Sequence, residues 1–272
     1  MPILNKDMQV CMSLAARPSN IGTRFHNFLY DELGLNFVYK AFTTTDLEGA
    51  VRGIRALGIR GCSVSMPFKE VIIPLVDRIE DSARAIDSVN TVVNDDGVLT
   101  ASNTDHEAAA ALLATHEVDP RASVVLRGSG GMAKAVVSAF RSAGFDDLTV
   151  VARNEPAGTA LATRYGYRWA ATDDTRAAAD VLINVTPLGM HGDSADELAF
   201  PASRIATAHT VFDVVAFPSE TPLIRAARDA GRRVITGAEV IALQAALQFE
   251  RYTGVSLTPE QVARASAFSR EQ

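Results

Sequence analysis

Apolar residues recur along this chain with two periods, and the period changes mark its elements. Ile21, Phe25, Phe28, Leu29 and Leu33 fall at helical spacing, and Gly34 just beyond them is a helix stop. Met8–Leu14 and Asn36–Phe42, on either side, read as strands, separated from the helix by a polar loop at 15–20 that contains Pro18. Asp46 stands as an N-cap for a helix reaching Leu57, with Gly58 just after it. Gly61–Val64 is a short strand running into Ser65-Met66-Pro67, where the proline ends the ladder and can open a helix. Val89–Asn94 and Val98–Ser102 flank Asp95-Asp96-Gly97, a hairpin signal, and Asn103-Thr104-Asp105 then leads into the alanine-rich helix Glu107–Thr115.

A second rhythm begins near Ser123. Strands at Ser123–Leu126, Leu148–Val151, Val181–Val185, Thr210–Val214 and Arg233–Ile235 alternate with helices at Met132–Ala143, Pro156–Tyr165 and Pro222–Ala230. This alternation predicts parallel strands joined by crossover helices. After Gly237 come two more helices, near 239–252 and 259–269. They follow a completed Rossmann unit, so the first lobe is where they are expected to pack. The pattern predicts an α/β protein of two lobes with a cleft between them: an N-terminal α/β lobe of residues 1–105 plus 239–272, and a Rossmann lobe of residues 106–238.

Composition narrows the functional classes. With 272 residues, 47% of them hydrophobic, the chain can bury a sizeable core. A net charge of −6 argues against a nucleic-acid surface, which needs a basic face. No apolar run approaches the ~20 residues of a membrane span, and the N-terminus lacks the apolar stretch of a signal peptide. The two cysteines, Cys11 and Cys62, have neither metal-like nor redox-like spacing, and the histidines form no HxxxH pair. No metal is expected, and a reducing, cytoplasmic setting fits.

The strongest single motif follows the strand Ser123-Val124-Val125-Leu126-Arg127. It reads Gly128-Ser129-Gly130-Gly131-Met132-Ala133, a GxGGxA variant of the dinucleotide fingerprint. Gly128 allows the tight turn, Gly130 lets the backbone approach a pyrophosphate, and Ala133 lets helix and strand pack closely. The helix N-terminus beyond offers free N–H groups and partial positive charge. A ligand-free glycine turn is the competing reading, but the strand before and the helix after supply the context the fingerprint needs. NAD-binding chains carry an acid at the end of the next strand, about 20 residues on. Here that strand ends in Ala152-Arg153-Asn154, and the Arg153 guanidinium suits a 2′-phosphate, which favours NADP. A solvated loop arginine is the alternative.

The first lobe carries Ser63-Val64-Ser65-Met66-Pro67-Phe68-Lys69, then Ser88-Val89-Asn90-Thr91, then Ser102-Asn103-Thr104-Asp105. With the glycine loop, Asn184-Val185-Thr186-Pro187-Leu188-Gly189-Met190, Asp213, Thr221-Pro222-Leu223 and Gln244, these blocks resemble the shikimate dehydrogenase family in order and along nearly the whole chain. The resemblance implies substrate in the first lobe, NADP in the second, and NADP-dependent interconversion of a secondary alcohol and a ketone on shikimate or a related cyclic hydroxy acid. It implies Lys69 and Asp105 as the catalytic pair; within it, Lys69 is expected to exchange the hydroxyl proton and Asp105 to orient it and the substrate. It places Ser63, Ser65, Asn90 and Gln244 at the substrate. At the cofactor it places Gly128, Ser129, Gly130, Gly131, Met132, Ala133, Arg153, Asn154, Thr186, Met190, Val214 and Gly237. Without the surrounding blocks, Lys69 would read as a surface lysine at a helix start and Asp105 as an N-cap.

The chain also departs from the family pattern. The family's Ser-x-Ser, which holds the substrate carboxylate, falls on Ala16 and Pro18, with Ser19 one residue beyond. The family's tyrosine after the Asp-Met-x motif falls on Ala216, its Asn before Val-Thr falls on Ser63, and its glycine after Asn-Thr-Asp falls on His106. Arg17 is a candidate replacement for the lost carboxylate donors. An NAD-linked quinate or shikimate enzyme, a dehydrogenase for a different polyol, and a non-catalytic NADP sensor are the competing functions. Arg153 argues against the first, and retention of both Lys69 and Asp105 argues against the last.

Overall fold

The computed structural model describes residues 4–172 and 179–271. They form two compact units, Met1–Thr104 with Ala242–Gln272, and Asp105–Ile241. The first contains strands β1 (Gln9–Leu14), β2 (Phe37–Phe42), β3 (Gly61–Val64), β4 (Arg78–Ile79), β5 (Thr91–Asp95) and β6 (Val98–Ser102). Between them lie helices α1 (Ile21–Glu32), α2 (Leu47–Ala56), α3 (Phe68–Val71) and α4 (Asp81–Arg84). The second contains α5 (Thr104–Thr115), β7 (Val124–Arg127), α6 (Gly131–Ser142), β8 (Leu148–Val151), α7 (Glu155–Tyr165), β9 (Arg168–Ala170), β10 (Val181–Asn184), α8 (Ala202–Ile205), β11 (Thr210–Asp213), α9 (Pro222–Asp229) and β12 (Arg233–Ile235). The chain ends with α10 (Gly237–Thr253) and α11 (Pro259–Arg270).

The sheet of the first unit runs β2-β1-β3-β5-β6-β4. Parallel pairing of β1 with β2 and β3 gives way to antiparallel pairing of β3 with β5 and β5 with β6. The β5–β6 hairpin closes through Asp96 and Gly97 at φ 51° and 89°, the positive-φ pair a type I′ turn requires. Asp46 caps α2 as expected, accepting from the Gly49 amide at 2.8 Å.

The C-terminal helices join the first unit, as the pattern predicted: α10 packs onto this sheet and α11 lies along α1. Ala245, Ala246, Phe249 and Tyr252 of α10 share a core with Cys11, Phe25, Leu29 and Tyr39. A Cβ on Gly61 would stand 2.2 Å from the Tyr252 ring, so only glycine lets α10 lie this close to β3. His26 is buried in the same core and stacks on Tyr39 with ring centroids 4.5 Å apart. Burial pushes its pKa down to about 3, so the imidazole packs there as a neutral aromatic ring.

The second sheet runs β12-β11-β10-β7-β8-β9 with every pair parallel. Read from the other edge this is strand order 3-2-1-4-5-6 of a Rossmann fold, and the reversal falls between β7 and β10. The unit boundary lies slightly away from the one the sequence suggests. Asp105 groups with the second unit because it is the second residue of the continuous helix α5. Residues 239–241 group there because α10 starts at Gly237, against the backbone that follows β11. Among the described residues no helix is long and apolar enough to cross a membrane.

Candidate active site

In the first unit, the loops after β1 and β3 are tied together by backbone. The Ser65 amide donates to Leu14 O at 2.9 Å, and the Ala16 amide donates to Met66 O at 3.0 Å. Arg17 and Ser19 therefore sit, exposed, on the loop that adjoins Ser65. Lys69 lies half-buried in the single turn of α3, and its carbonyl accepts from the Val89 amide at 2.8 Å. The Val64 amide in turn donates to Asn90 O at 2.7 Å, so Lys69 and Asn90 are held on neighbouring segments.

Asn90, 2% exposed, is the centre of a polar cluster. Its Oδ1 accepts from the Thr104 amide at 2.8 Å and from the Thr91 hydroxyl at 2.7 Å, and its Nδ2 donates to Thr104 Oγ1 at 3.0 Å. The Thr104 hydroxyl lies 3.4 Å from Gln244 Oε1. Asn103 Nδ2 donates to Ser88 O at 2.8 Å, closing the second Asn-Thr block against the first. Buried polar groups that satisfy one another in this way are rigid and specific.

Sequence reasoning missed one member of the cluster. Gln248, also 2% exposed, donates from Nε2 to Thr91 Oγ1 at 3.0 Å, Asn90 O at 3.2 Å and Ser63 Oγ at 3.3 Å. It follows Gln244 by one helical turn, and that i,i+4 spacing was the available signal. Through Gln248, the half-buried Ser63 is joined to the Asn90 cluster.

In the second unit, a cavity of about 770 Å³ opens at the carboxyl ends of β7, β8 and β10. Gly128, Ser129, Gly130, Arg153, Asn154 and Thr186 all line it. Gly128 has φ +123°, and a Cβ there would stand 2.8 Å from Val185 Cγ2, so glycine is demanded by both backbone and packing. Gly130 and Gly131 differ, because a Cβ on either would meet no atom within 4 Å among the described residues. None of the described residues fills the space beside them. Gly130 is also the N-cap of α6 and offers no side-chain bond to the helix amides. An open glycine cradle at an uncapped helix start fits a pyrophosphate.

Arg153, exposed after β8, fits the phosphate end of such a ligand. Asn154 uses its Oδ1 to cap α7, accepting from the Ala157 amide at 3.1 Å. Ala133 is fully buried, and Met132 is half-buried beside it. Met190 is exposed and Val214 half-buried, and neither lines the cavity. At Gly237 a Cβ would stand 2.4 Å from the carbonyl oxygens of Val214 and Val215, so this glycine is required by backbone packing.

Asp105, 8% exposed, and His106 open α5 in the second unit. His106 is buried. Burial lowers its pKa despite the nearby Glu107.

A family model for the shikimate dehydrogenase substrate-binding domain matches residues 20–92. A shikimate dehydrogenase-like protein of Haemophilus influenzae is 54% identical over 269 residues, covering 98% of this chain and 99% of that protein. The chain belongs to the shikimate dehydrogenase family. A shikimate dehydrogenase (NADP(+)) of Rubrobacter xylanophilus is 36% identical over 267 residues, 93% of this chain and 92% of that one. Among solved structures, a shikimate 5-dehydrogenase-like protein superposes with TM-score 0.97 at 54% identity, over 99% of this chain and 100% of that one. The Thermus thermophilus shikimate 5-dehydrogenase, solved with NADP(H) and shikimate, superposes with TM-score 0.85 at 28% identity, over 96% of this chain and all of the other. The α/β class and the Rossmann unit expected from the sequence are those of this shikimate dehydrogenase family fold.

Proposed function

We propose that this protein is an NADP-dependent oxidoreductase that interconverts a secondary alcohol and a ketone on shikimate or a related cyclic hydroxy acid. The open cradle at Gly130, in a cavity that Arg153 also lines, carries this reading. NADP+ bound there would supply the hydride acceptor. The glycine amides and the start of α6 hold the pyrophosphate, and Arg153 holds the 2′-phosphate with paired N–H donors.

Lys69 accepts the hydroxyl proton at Nζ as the carbon–hydrogen bond gives up its hydride, and returns that proton in the reverse direction. Asp105 orients the reacting hydroxyl. Asn90 retains a second Nδ2 hydrogen, and Gln244 an amide, for the ring hydroxyls. Because Asn90 Oδ1 is already occupied by Thr91 and Thr104, Asn90 acts toward substrate as a donor.

Cofactor choice is testable by binding alone. A bidentate charge-assisted contact supports a preference of about tenfold or more. Titration of the wild type is expected to show NADP bound at least about tenfold tighter than NAD, with Arg153→Ala abolishing the preference and leaving NAD affinity unchanged. An undiminished preference in that variant would remove Arg153 from the account.

The carboxylate end is where this chain departs from its relatives, at Ala16, Pro18 and Ala216. Fewer hydroxyl donors to the carboxylate favour weaker binding of shikimate itself, since each lost bond costs on the order of 1–3 kcal/mol. Arg17, with Ser19 two residues on, supplies the replacement charge. Arg17→Ala is expected to raise KM for the acid about tenfold with kcat little changed. A KM equal to that of the wild type would show that the carboxylate is held elsewhere.

A further inference from the structure

The buried carboxylate of Asp213 has no direct part in the chemistry above, yet it stands at the root of the cavity wall. It is fully buried at the end of β11 and accepts from three donors: Asn184 Nδ2 at 3.0 Å, the Val215 amide at 3.0 Å and Thr221 Oγ1 at 2.7 Å. Asn184, also fully buried, passes the constraint on. Its Nδ2 donates to Leu188 O at 3.1 Å, and its Oδ1 accepts from the Thr186 amide at 3.0 Å and the Thr186 hydroxyl at 2.6 Å. The Leu188 amide then donates to Thr186 Oγ1 at 3.3 Å. Thr186, Pro187 and Leu188 wall the cavity.

We propose that Asp213 is a positioning residue for the dinucleotide: by fixing the amide plane of Asn184 it sets the conformation of residues 186–188. The inference rests on the reading of the cavity as the NADP site. An asparagine side chain has a carbonyl and an amino end that can exchange places by rotation about its last bond. Asp213 accepts only, so it holds the amino end of Asn184 toward itself and turns the carbonyl end to Thr186. Burial raises the Asp213 carboxyl to about 6, below neutral pH, so the acceptor form is kept there. The same carboxylate binds Val215, whose carbonyl lies against Gly237. One side chain therefore braces the loops that follow both β10 and β11.

The test combines two readouts. Amide hydrogen exchange of the cofactor-free protein is compared for wild type, Asp213→Ala and Asp213→Asn, and the affinity of each for NADP is measured by calorimetry. Asp213→Ala is expected to speed exchange at Thr186 and Leu188 as well as at Val215, and to weaken NADP about tenfold. Asp213→Asn keeps a carbonyl oxygen toward Asn184 and Val215, while its amino end faces a threonine oxygen able to accept, so it is expected to restore most of both. Faster exchange confined to Val215, or wild-type affinity in Asp213→Ala, overturns the proposal. Should Asp213→Ala fail to fold, Thr186→Val cuts the far end of the relay and leaves the core intact, and unchanged NADP affinity in it is equally contrary. Absence of NADP binding by the wild type would refute the functional reading instead, and the relay would then stand or fall on exchange alone.

Discussion

Replacing Lys69 with alanine is expected to lower kcat about a thousandfold while leaving NADP affinity within about twofold of wild type. Proton transfer by a positioned group contributes roughly 10²–10⁴ in rate, and Lys69 is the group assigned to the substrate hydroxyl proton. Its ammonium carries a proton that can be given up, whereas a guanidinium does not release one at ordinary pH. Lys69→Arg therefore separates two roles. If Lys69 only placed a positive charge near the substrate, arginine would recover much of the rate. If Lys69 exchanges a proton, arginine stays as slow as alanine, and that is the expected result. The backbone of α3 is held independently of the side chain, through the bond from the Val89 amide to the Lys69 carbonyl, so neither variant should disturb the fold. Stopped-flow and steady-state measurements of nicotinamide reduction, together with a calorimetric NADP titration, read both parts.

Gly130→Val is expected to weaken NADP by at least about a hundredfold with little change in stability. Gly130 has φ −81° and ψ −169°, an extended conformation open to any residue, and a Cβ added there meets no atom of the described residues within 4 Å. The folded protein therefore tolerates the side chain, apart from a cost of up to about 1 kcal/mol for a less suitable N-cap. The new methyl groups would occupy the space a pyrophosphate needs. Gly128→Val is the contrasting variant. At φ +123°, with Val185 already 2.8 Å from the added Cβ, it is expected to destabilise the fold itself. Thermal melts with NADP titrations separate the two glycines. Loss of stability in Gly130→Val, or NADP affinity unaltered by it, would remove the cradle from the account.

Much of this architecture was legible in the sequence because its signals are local. The Asp96-Gly97 turn, the Asp46 cap and the glycine loop each state a backbone requirement within a few residues. The elements left unseen are those too short to carry a period: β4 with two residues, β9 with three, and the single turns of α4 and α8. The site was legible in a different way. The Asn90-Thr91 and Asn103-Thr104 blocks could be recognised as motifs, but no local rule says that Asn90 would spend its carbonyl on Thr104. That pairing joins residues 14 apart, across the β5–β6 hairpin. Gln248 belongs to none of the motif blocks, and only its i,i+4 spacing from Gln244 on one helix face marks it. The Asp213 relay was present in the sequence only as separate family blocks, and its continuity depends on β10 and β11 lying side by side.

The most direct test of the central claim is to mix the purified protein with shikimate at rising concentrations and NADP+, and to follow reduced nicotinamide by absorbance, with Lys69→Ala as the control. Saturable NADPH formation is expected, with a raised KM for the reason given at Ala16, Pro18 and Ala216, and lost in the variant. NADPH formation that persists in Lys69→Ala, or none at all from shikimate and from related cyclic hydroxy acids, would contradict it.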